Sequence, residues 1–282
     1  MTIRGNRASV FLRFILFALT LSTSLHVHSQ QAAVASAHPL ATDAGMEILK
    51  KGGNAFDAAI AITATLAVVE PYSSGIGGGG FWLLHIKQDD RDVMIDGRER
   101  APLAASRNMY LDKNANVVPG ASIDGALSAG IPGVPAAIEH LALNYGKLPL
   151  SVTLEAAIKH ASNGFKTDEH YQRMAMFREK ALNKSTDAAK IFLLNRKAPE
   201  PGTLIKQPDL AETLRLLASK GARGFYQGEL ADKLVDSVVS HGGIWSKEDL
   251  AAYKVIERVP VTGEYRGMKI VSVAPPYRVV SH

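Results

Sequence analysis

Two short segments of this 282-residue sequence hold residue types that could bind or act on a ligand. The first is Gly75-Ile76-Gly77-Gly78-Gly79-Gly80. Its glycines expose backbone N–H groups, permit positive φ and let another segment or a ligand approach closely. The tract matches the letters of the G-x-G-x-x-G dinucleotide fingerprint. That fingerprint follows a strand and opens a helix, so that pyrophosphate meets the helix N-terminus. Here a helical stretch precedes the tract and a strand follows it, the reverse order. No Lys-Ser or Lys-Thr follows, which also excludes a P-loop. What remains is a tight helix-to-strand connection packed under the core, or a backbone contact with a ligand. The second segment is Asp96-Gly97-Arg98-Glu99-Arg100-Ala101-Pro102. A guanidinium can grip a carboxylate through two parallel N–H bonds. An arbitrary loop arginine more commonly joins a weak surface salt bridge. Residue types alone leave both readings open.

Other chemistries are excluded or unsupported. With no cysteine in the chain, disulfides, cysteine nucleophiles and thiolate metal sites are all ruled out. There is no His-Glu-x-x-His zinc pattern and no Gly-x-Ser-x-Gly nucleophile elbow. His38, His85, His140 and His160 are dispersed and read as structural or exposed residues. Asp89, Asp90 and Asp92 read as a solvated turn. The net charge of +5 is modest, and its basic residues are scattered among acidic ones. A nucleic-acid partner would need a clustered basic patch, so none is expected.

The elements that must position these segments follow from periodicity and punctuation. A helix is predicted over 39–51, capped by Thr42 or Asp43 and ended by Gly52-Gly53. The 55–69 stretch is apolar nearly all round and predicts a deeply buried helix stopped by Pro71. Strands over 81–86 and 93–95 should pair as a hairpin. Residues 97–133 read as loop-rich. Helices are predicted over 135–145, over 150–163 with Ser151 as cap, and over 168–182, 207–219, 227–240 and 247–253. Strands over 255–264 and 268–273 close the series, the last apolar enough to be interior. No linker or internal repeat divides the chain, so a single α/β domain is expected after the leader.

That leader is the first segment. Arg4, Arg7 and Arg13 precede an apolar run over 14–25, and small and polar residues follow around Val27-His28-Ser29. This is the order of a secretory signal peptide, expected over residues 1–29, which directs the protein to the periplasm or outside the cell. The run is shorter than the roughly 20 residues a membrane span needs, so no integral membrane partner is expected.

Several segments, taken in order, resemble the large subunit of γ-glutamyltranspeptidases, also called glutathione hydrolases. They are Ala35-Ser-Ala-His-Pro-Leu-Ala-Thr-Asp-Ala-Gly45, Gly52-Gly-Asn-Ala-Phe-Asp-Ala-Ala-Ile60, the glycine tract with Phe81, and Arg98-Glu-Arg-Ala-Pro102. Gly130-Ile-Pro-Gly-Val134, Tyr145-Gly146, Phe225-Tyr226-Gln-Gly228, Lys247-Glu-Asp-Leu-Ala-Ala-Tyr253 and Gly263-Glu-Tyr-Arg-Gly267 continue the series. Any one could be coincidence, but their joint order and spacing are specific. The resemblance implies an α/β (α+β) N-terminal nucleophile hydrolase fold, an αββα sandwich that would be incomplete in this chain. It implies a self-cleaving precursor whose small subunit begins with the nucleophilic threonine. That threonine would take the γ-glutamyl group of glutathione and pass it to water or an amino acid, with no cofactor and no metal. Within this chain, the family's carboxylate-holding arginine maps onto Arg98, whereas Arg100 fills a variable position. The family continues past Pro-Pro with Ser-Ser-Gly-Gly, whereas Pro275-Pro276 here leads into Tyr277 and ends at His282. The expectation is a truncated large-subunit part over 30–282, without the threonine-bearing small subunit and inactive alone. Three other readings stay open: a related acylase on γ-linked amides, a non-catalytic exported module that binds an acidic small molecule, and a truncated product that does not fold stably.

Overall fold

The computed structural model describes residues 32–275. The expected signal segment and residues 276–282 lie outside the described residues. Helix α1 spans Pro39–Lys50. Its cap is His38, whose Nδ1 accepts from the Leu40 N–H at 3.2 Å, and not Thr42 or Asp43, which sit within the helix. The helix begins at Pro39 as expected, so the cap falls one residue before it, because proline at the first position has a fixed helical φ and needs no N–H partner. Helix α2 spans Ala55–Val69 inside a complete capping box. The Asn54 side chain accepts from the Phe56 and Asp57 N–H groups, and Asp57 accepts from the Asn54 N–H at 2.8 Å.

As expected, α2 is buried on most sides, with Ile60, Ala61, Ala64 and Val68 fully shielded. Its alanines let α1 approach on one side, where Ala44, Ile48, Ala58 and Ala61 form a small cluster. On its other sides it packs into the main core. That core is built with Ile138 and Leu141 of α3 (Val134–Asn144), the 154–161 region, and Leu214 and Leu217 further on. Each fully buried Leu or Ile there contributes about 1.5–3 kcal/mol.

Strands β1 (Gly80–Ile86) and β2 (Arg91–Gly97) form the expected antiparallel hairpin, longer than the apolar letters alone suggested. Both faces of β2 are covered, so Val93, Met94, Ile95 and Asp96 are all buried. A third strand, β5 (Ile256–Arg258), pairs antiparallel with β2, giving the order β1-β2-β5.

The predicted helix over 150–163 is broken into α4 (Leu150–Thr153) and α5 (Glu155–Asn163), and Pro149 rather than Ser151 stands at the cap. The chain turns at Leu154, which is drawn completely into the core. Strand β3 (Phe165–Lys166) pairs with β4 (Leu204–Ile205). Between them lie α6 (Glu169–Leu182), capped by Asp168, and α7 (Thr186–Phe192), capped by Ser185. The sequence reading did not find α7, because seven residues are too few to establish a helical period. Helices α8 (Pro208–Lys220), α9 (Arg223–Tyr226), α10 (Glu229–Ser240) and α11 (Lys247–Ala251) follow.

The strand expected over 255–264 is two strands. Pro260, which lacks an N–H for the ladder, separates β5 from β6 (Val261–Tyr265). Strand β7 (Met268–Ser272) pairs only with β6 among the described residues. The expectation of an interior final strand is therefore corrected. Met268 is 61% exposed and Ile270 47%, because no described element covers that face of the hairpin. No described helix is long and apolar enough to cross a membrane.

Candidate functional site

The two chemically suggestive segments come together. Strand register places Gly80 opposite Gly97, so the glycine tract enters β1 where the arginine loop leaves β2. The tract packs on that loop. A Cβ on Gly79 would lie 2.5 Å from the Glu99 nitrogen and 2.8 Å from the Arg98 Cα. None of the five glycines stands in the left-handed region. The freedom of φ expected of the tract is therefore not what requires glycine. Absence of a side chain is, and at Gly79 most of all. The Gly78 carbonyl accepts from the Gly133 and Val134 N–H groups at 2.8 and 3.1 Å, tying the start of α3 to the tract. Arg100 and Ile131 exchange two backbone bonds beside it.

Arg98 is the first residue after β2 and is exposed. Asp96 lies two residues earlier, on the same strand face, opposite Phe81. The Arg98 N–H donates to Asp96 Oδ1 at 3.1 Å. The other Asp96 oxygen accepts from Arg258 Nε of β5 at 2.7 Å, in a largely buried ion pair. The Arg98 carbonyl accepts from the Tyr253 hydroxyl at 2.6 Å. The guanidinium carbon sits 5.8 Å from the Phe81 ring centroid, within cation–π reach. Among the described residues, no carboxylate pairs with the Arg98 guanidinium. Arg100 differs. Its Nη2 donates to the Lys254 carbonyl at 2.6 Å and its guanidinium lies 5.1 Å from the Tyr253 ring centroid. The geometry thus leaves Arg98 open to an incoming carboxylate and spends Arg100 on the scaffold.

Tyr253 links the parts. Its ring stacks on Tyr226, with centroids 5.5 Å apart and planes 1° from parallel. The Tyr226 hydroxyl donates to the Pro132 carbonyl at 2.8 Å. Burial pushes the Tyr253 hydroxyl up to about 12, opposed by the Arg100 charge, so it stays a proton donor. Reading the sequence missed Asp96, Tyr253 and Arg258. Tyr253 and Arg258 lie more than 150 positions from Arg98, and no local pattern announces such a contact.

The dispersed histidines do not converge on the loop. His85 pairs with Asp92 at 2.9 Å, and that aspartate also meets Lys269, so it is a strand residue rather than part of the solvated turn. His140 and the Tyr145 hydroxyl share Glu257 Oε1 at 2.8 and 2.6 Å. His38 is buried at a helix cap, and burial lowers the proton affinity of both His38 and His160. No cluster of His, Asp and Glu suited to a metal occurs among the described residues. A groove of about 730 Å³ lies between α8 and the start of α10 and does not include Arg98. Its lining mixes Glu212 and Glu229 with Lys220, Arg223 and Lys233, which defines no single ligand charge. The Arg98 loop is the better candidate because its unpaired cation is fixed by buried partners.

The family model for Gamma-glutamyltranspeptidase matches residues 41–279. The chain is 41% identical over 262 residues to the glutathione hydrolase proenzyme of Pseudomonas sp. (strain A14), covering 93% of this chain and 45% of that protein. It is 37% identical over 251 residues to the glutathione hydrolase proenzyme of Escherichia coli (strain K12), covering 89% of this chain and 43% of that protein. The chain thus spans less than half the length of these curated relatives. In three dimensions it is similar to the γ-glutamyltranspeptidase of Helicobacter pylori, with a TM-score of 0.85 and 42% identity over 88% of this chain and 71% of that one. The mixed helix-and-sheet fold is accordingly that of the N-terminal nucleophile hydrolases of this kind, and the chain belongs to the γ-glutamyltranspeptidase family.

Proposed function

We propose that this chain is the large-subunit part of a γ-glutamyltransferase or glutathione hydrolase, and that Arg98 holds the α-carboxylate of the γ-glutamyl group. The observation that carries the reading is an exposed guanidinium on a pinned loop with no carboxylate partner among the described residues. A bidentate pair there would fix the substrate by charge and by direction. The nucleophile is assigned to the threonine that opens the small subunit. Its α-amine takes the hydroxyl proton as Oγ attacks the γ-carbonyl, and returns that proton to the leaving amine. Water or an amino acid then releases the glutamyl group from the acyl-enzyme. Neither step calls for a metal or organic cofactor. The basic and apolar order of residues 1–29 supports export to the periplasm or beyond.

On this reading the chain by itself turns over no γ-glutamyl anilide, and supplying the rest of the large subunit together with a threonine-bearing small subunit restores turnover. Turnover by the purified chain alone would overturn the division of labour. In the paired form, Arg98→Lys should raise KM for a γ-glutamyl anilide by about tenfold or more, since a bidentate charged contact is worth about 1.5–3 kcal/mol. An unchanged KM would remove Arg98 from the site. Comparing γ-glutamyl with glutaryl amides separates a glutamyl transferase from a general acylase.

A further inference from the structure

Arg98 is held at three places while its guanidinium has no carboxylate partner among the described residues. Its N–H is held by Asp96, its carbonyl by Tyr253, and its guanidinium lies against Phe81. Two of these holds reach back to the segment that runs from α11 into β5. Tyr253 supplies one directly. Arg258 supplies the other by fixing Asp96 at 2.7 Å. The Tyr253 ring needs no hydroxyl to stay in place, because Tyr226 stacks on one side of it and Arg100 lies within cation–π distance. Its hydroxyl is therefore free to serve the loop. The stacked partner anchors the opposite wall, through the Tyr226 hydroxyl on the Pro132 carbonyl. The two tyrosines together set the spacing between the arginine loop and the start of α3.

We propose that Tyr253, together with the Asp96–Arg258 pair, is a positioning residue that sets the direction of the Arg98 guanidinium for substrate carboxylate capture. This inference rests on the carboxylate-holding role proposed for Arg98. Tyr253 need not touch the substrate. It fixes the carbonyl of the residue that does, and Asp96 fixes the N–H of the same residue. With both amide groups of Arg98 pinned, the side chain leaves the backbone in one direction. A ligand contact made by a preset group avoids the cost of ordering it on binding.

The test uses Tyr253→Phe, which keeps the stacked ring and removes only the hydroxyl, and Asp96→Asn, which keeps an acceptor for the Arg98 N–H but releases Arg258. In this chain completed by the rest of the large subunit and a threonine-bearing small subunit, each should raise KM for a γ-glutamyl anilide about three- to tenfold, the loss of one hydrogen bond. The value of kcat should stay within about twofold, since a ground-state and transition-state contact are lost alike. Arg98→Lys is the control for the underlying role. If Arg98→Lys raises KM and neither Tyr253→Phe nor Asp96→Asn does, the positioning inference fails and the role of Arg98 stands. If Arg98→Lys has no effect, the underlying role fails. A second measurement is independent of turnover. In the chain alone, Tyr253→Phe should speed amide exchange at Arg98 by about three- to tenfold, with the melting temperature within about 2 °C of the parent. Unchanged exchange at that amide overturns the inference whatever the kinetics show.

Discussion

Replacing Gly79 by alanine puts a methyl group 2.5 Å from the Glu99 nitrogen, 2.7 Å from Glu99 Oε2 and 2.8 Å from the Arg98 Cα. Ordinary contact begins near 3.4 Å, so the shortfall at the nitrogen is about 0.9 Å. The carboxylate can rotate away, but the two backbone atoms cannot. The Arg98 backbone is bonded on both sides, to Asp96 and to Tyr253. The strain must appear as a shift of the arginine loop away from the tract. Overpacking of this kind costs about 1–3 kcal/mol, which in a domain of this size lowers the melting temperature by about 2–4 °C per kcal/mol. Gly77→Ala is the matched control. Nothing lies within 4 Å of its Cβ, and its φ is outside the left-handed region. It should be neutral or stabilising by about 0.4–1 kcal/mol, through a less flexible unfolded chain. The assay is thermal unfolding of the two variants followed by circular dichroism. In the paired form, Gly79→Ala should also weaken γ-glutamyl binding by more than its stability loss implies, because misplacing a binding group by about 1 Å can cost about a hundredfold. Equal melting temperatures for the two variants, within about 1 °C, would refute the claim that the tract exists to let backbone meet backbone.

Three further outcomes follow from the same contacts. Asp57→Ala should cost about 3 kcal/mol or more in urea unfolding, since the buried carboxylate accepts from the Asn54, Lys147 and Leu148 N–H groups and each amide would lose its partner. Stability should rise with pH through the range just below 6.5. Burial lowers the folded-state proton affinity of His38 and His160 below that of an ordinary histidine, so the unfolded chain binds more protons there and the stabilisation is lost on acidification. His38→Asn keeps a cap acceptor without titrating and should flatten that slope in urea unfolding between about pH 5 and 7; an unaltered slope would exclude His38 as a source. Residues 1–29 fused to a periplasmic reporter should deliver it across the inner membrane, whereas the Arg4, Arg7 and Arg13 to Glu triple variant should retain it in the cytoplasm.

Sequence alone determined the buried helix α2, whose apolar letters leave no face for water, and the β1–β2 hairpin, whose strands are bounded by a glycine tract and an acidic turn. It also singled out Arg98, through the ordered run of family-like segments. These features are local, or are carried by the identity of neighbouring residues. Tertiary structure alone decided the rest. The cap of α1 passed to His38 because proline set the helix start. The helix over 150–163 broke at Leu154 because the core took that side chain. The last strand is exposed because burial depends on what lies across its face, which its own apolar letters do not encode. The difference between Arg98 and Arg100, two residues apart with the same charge, is also tertiary. Partners from Tyr253 to Arg258 occupy one guanidinium and, among the described residues, give the other no carboxylate while pinning its backbone. Contacts across more than 150 residues depend on how the chain closes, and no spacing rule within a single sequence contains them.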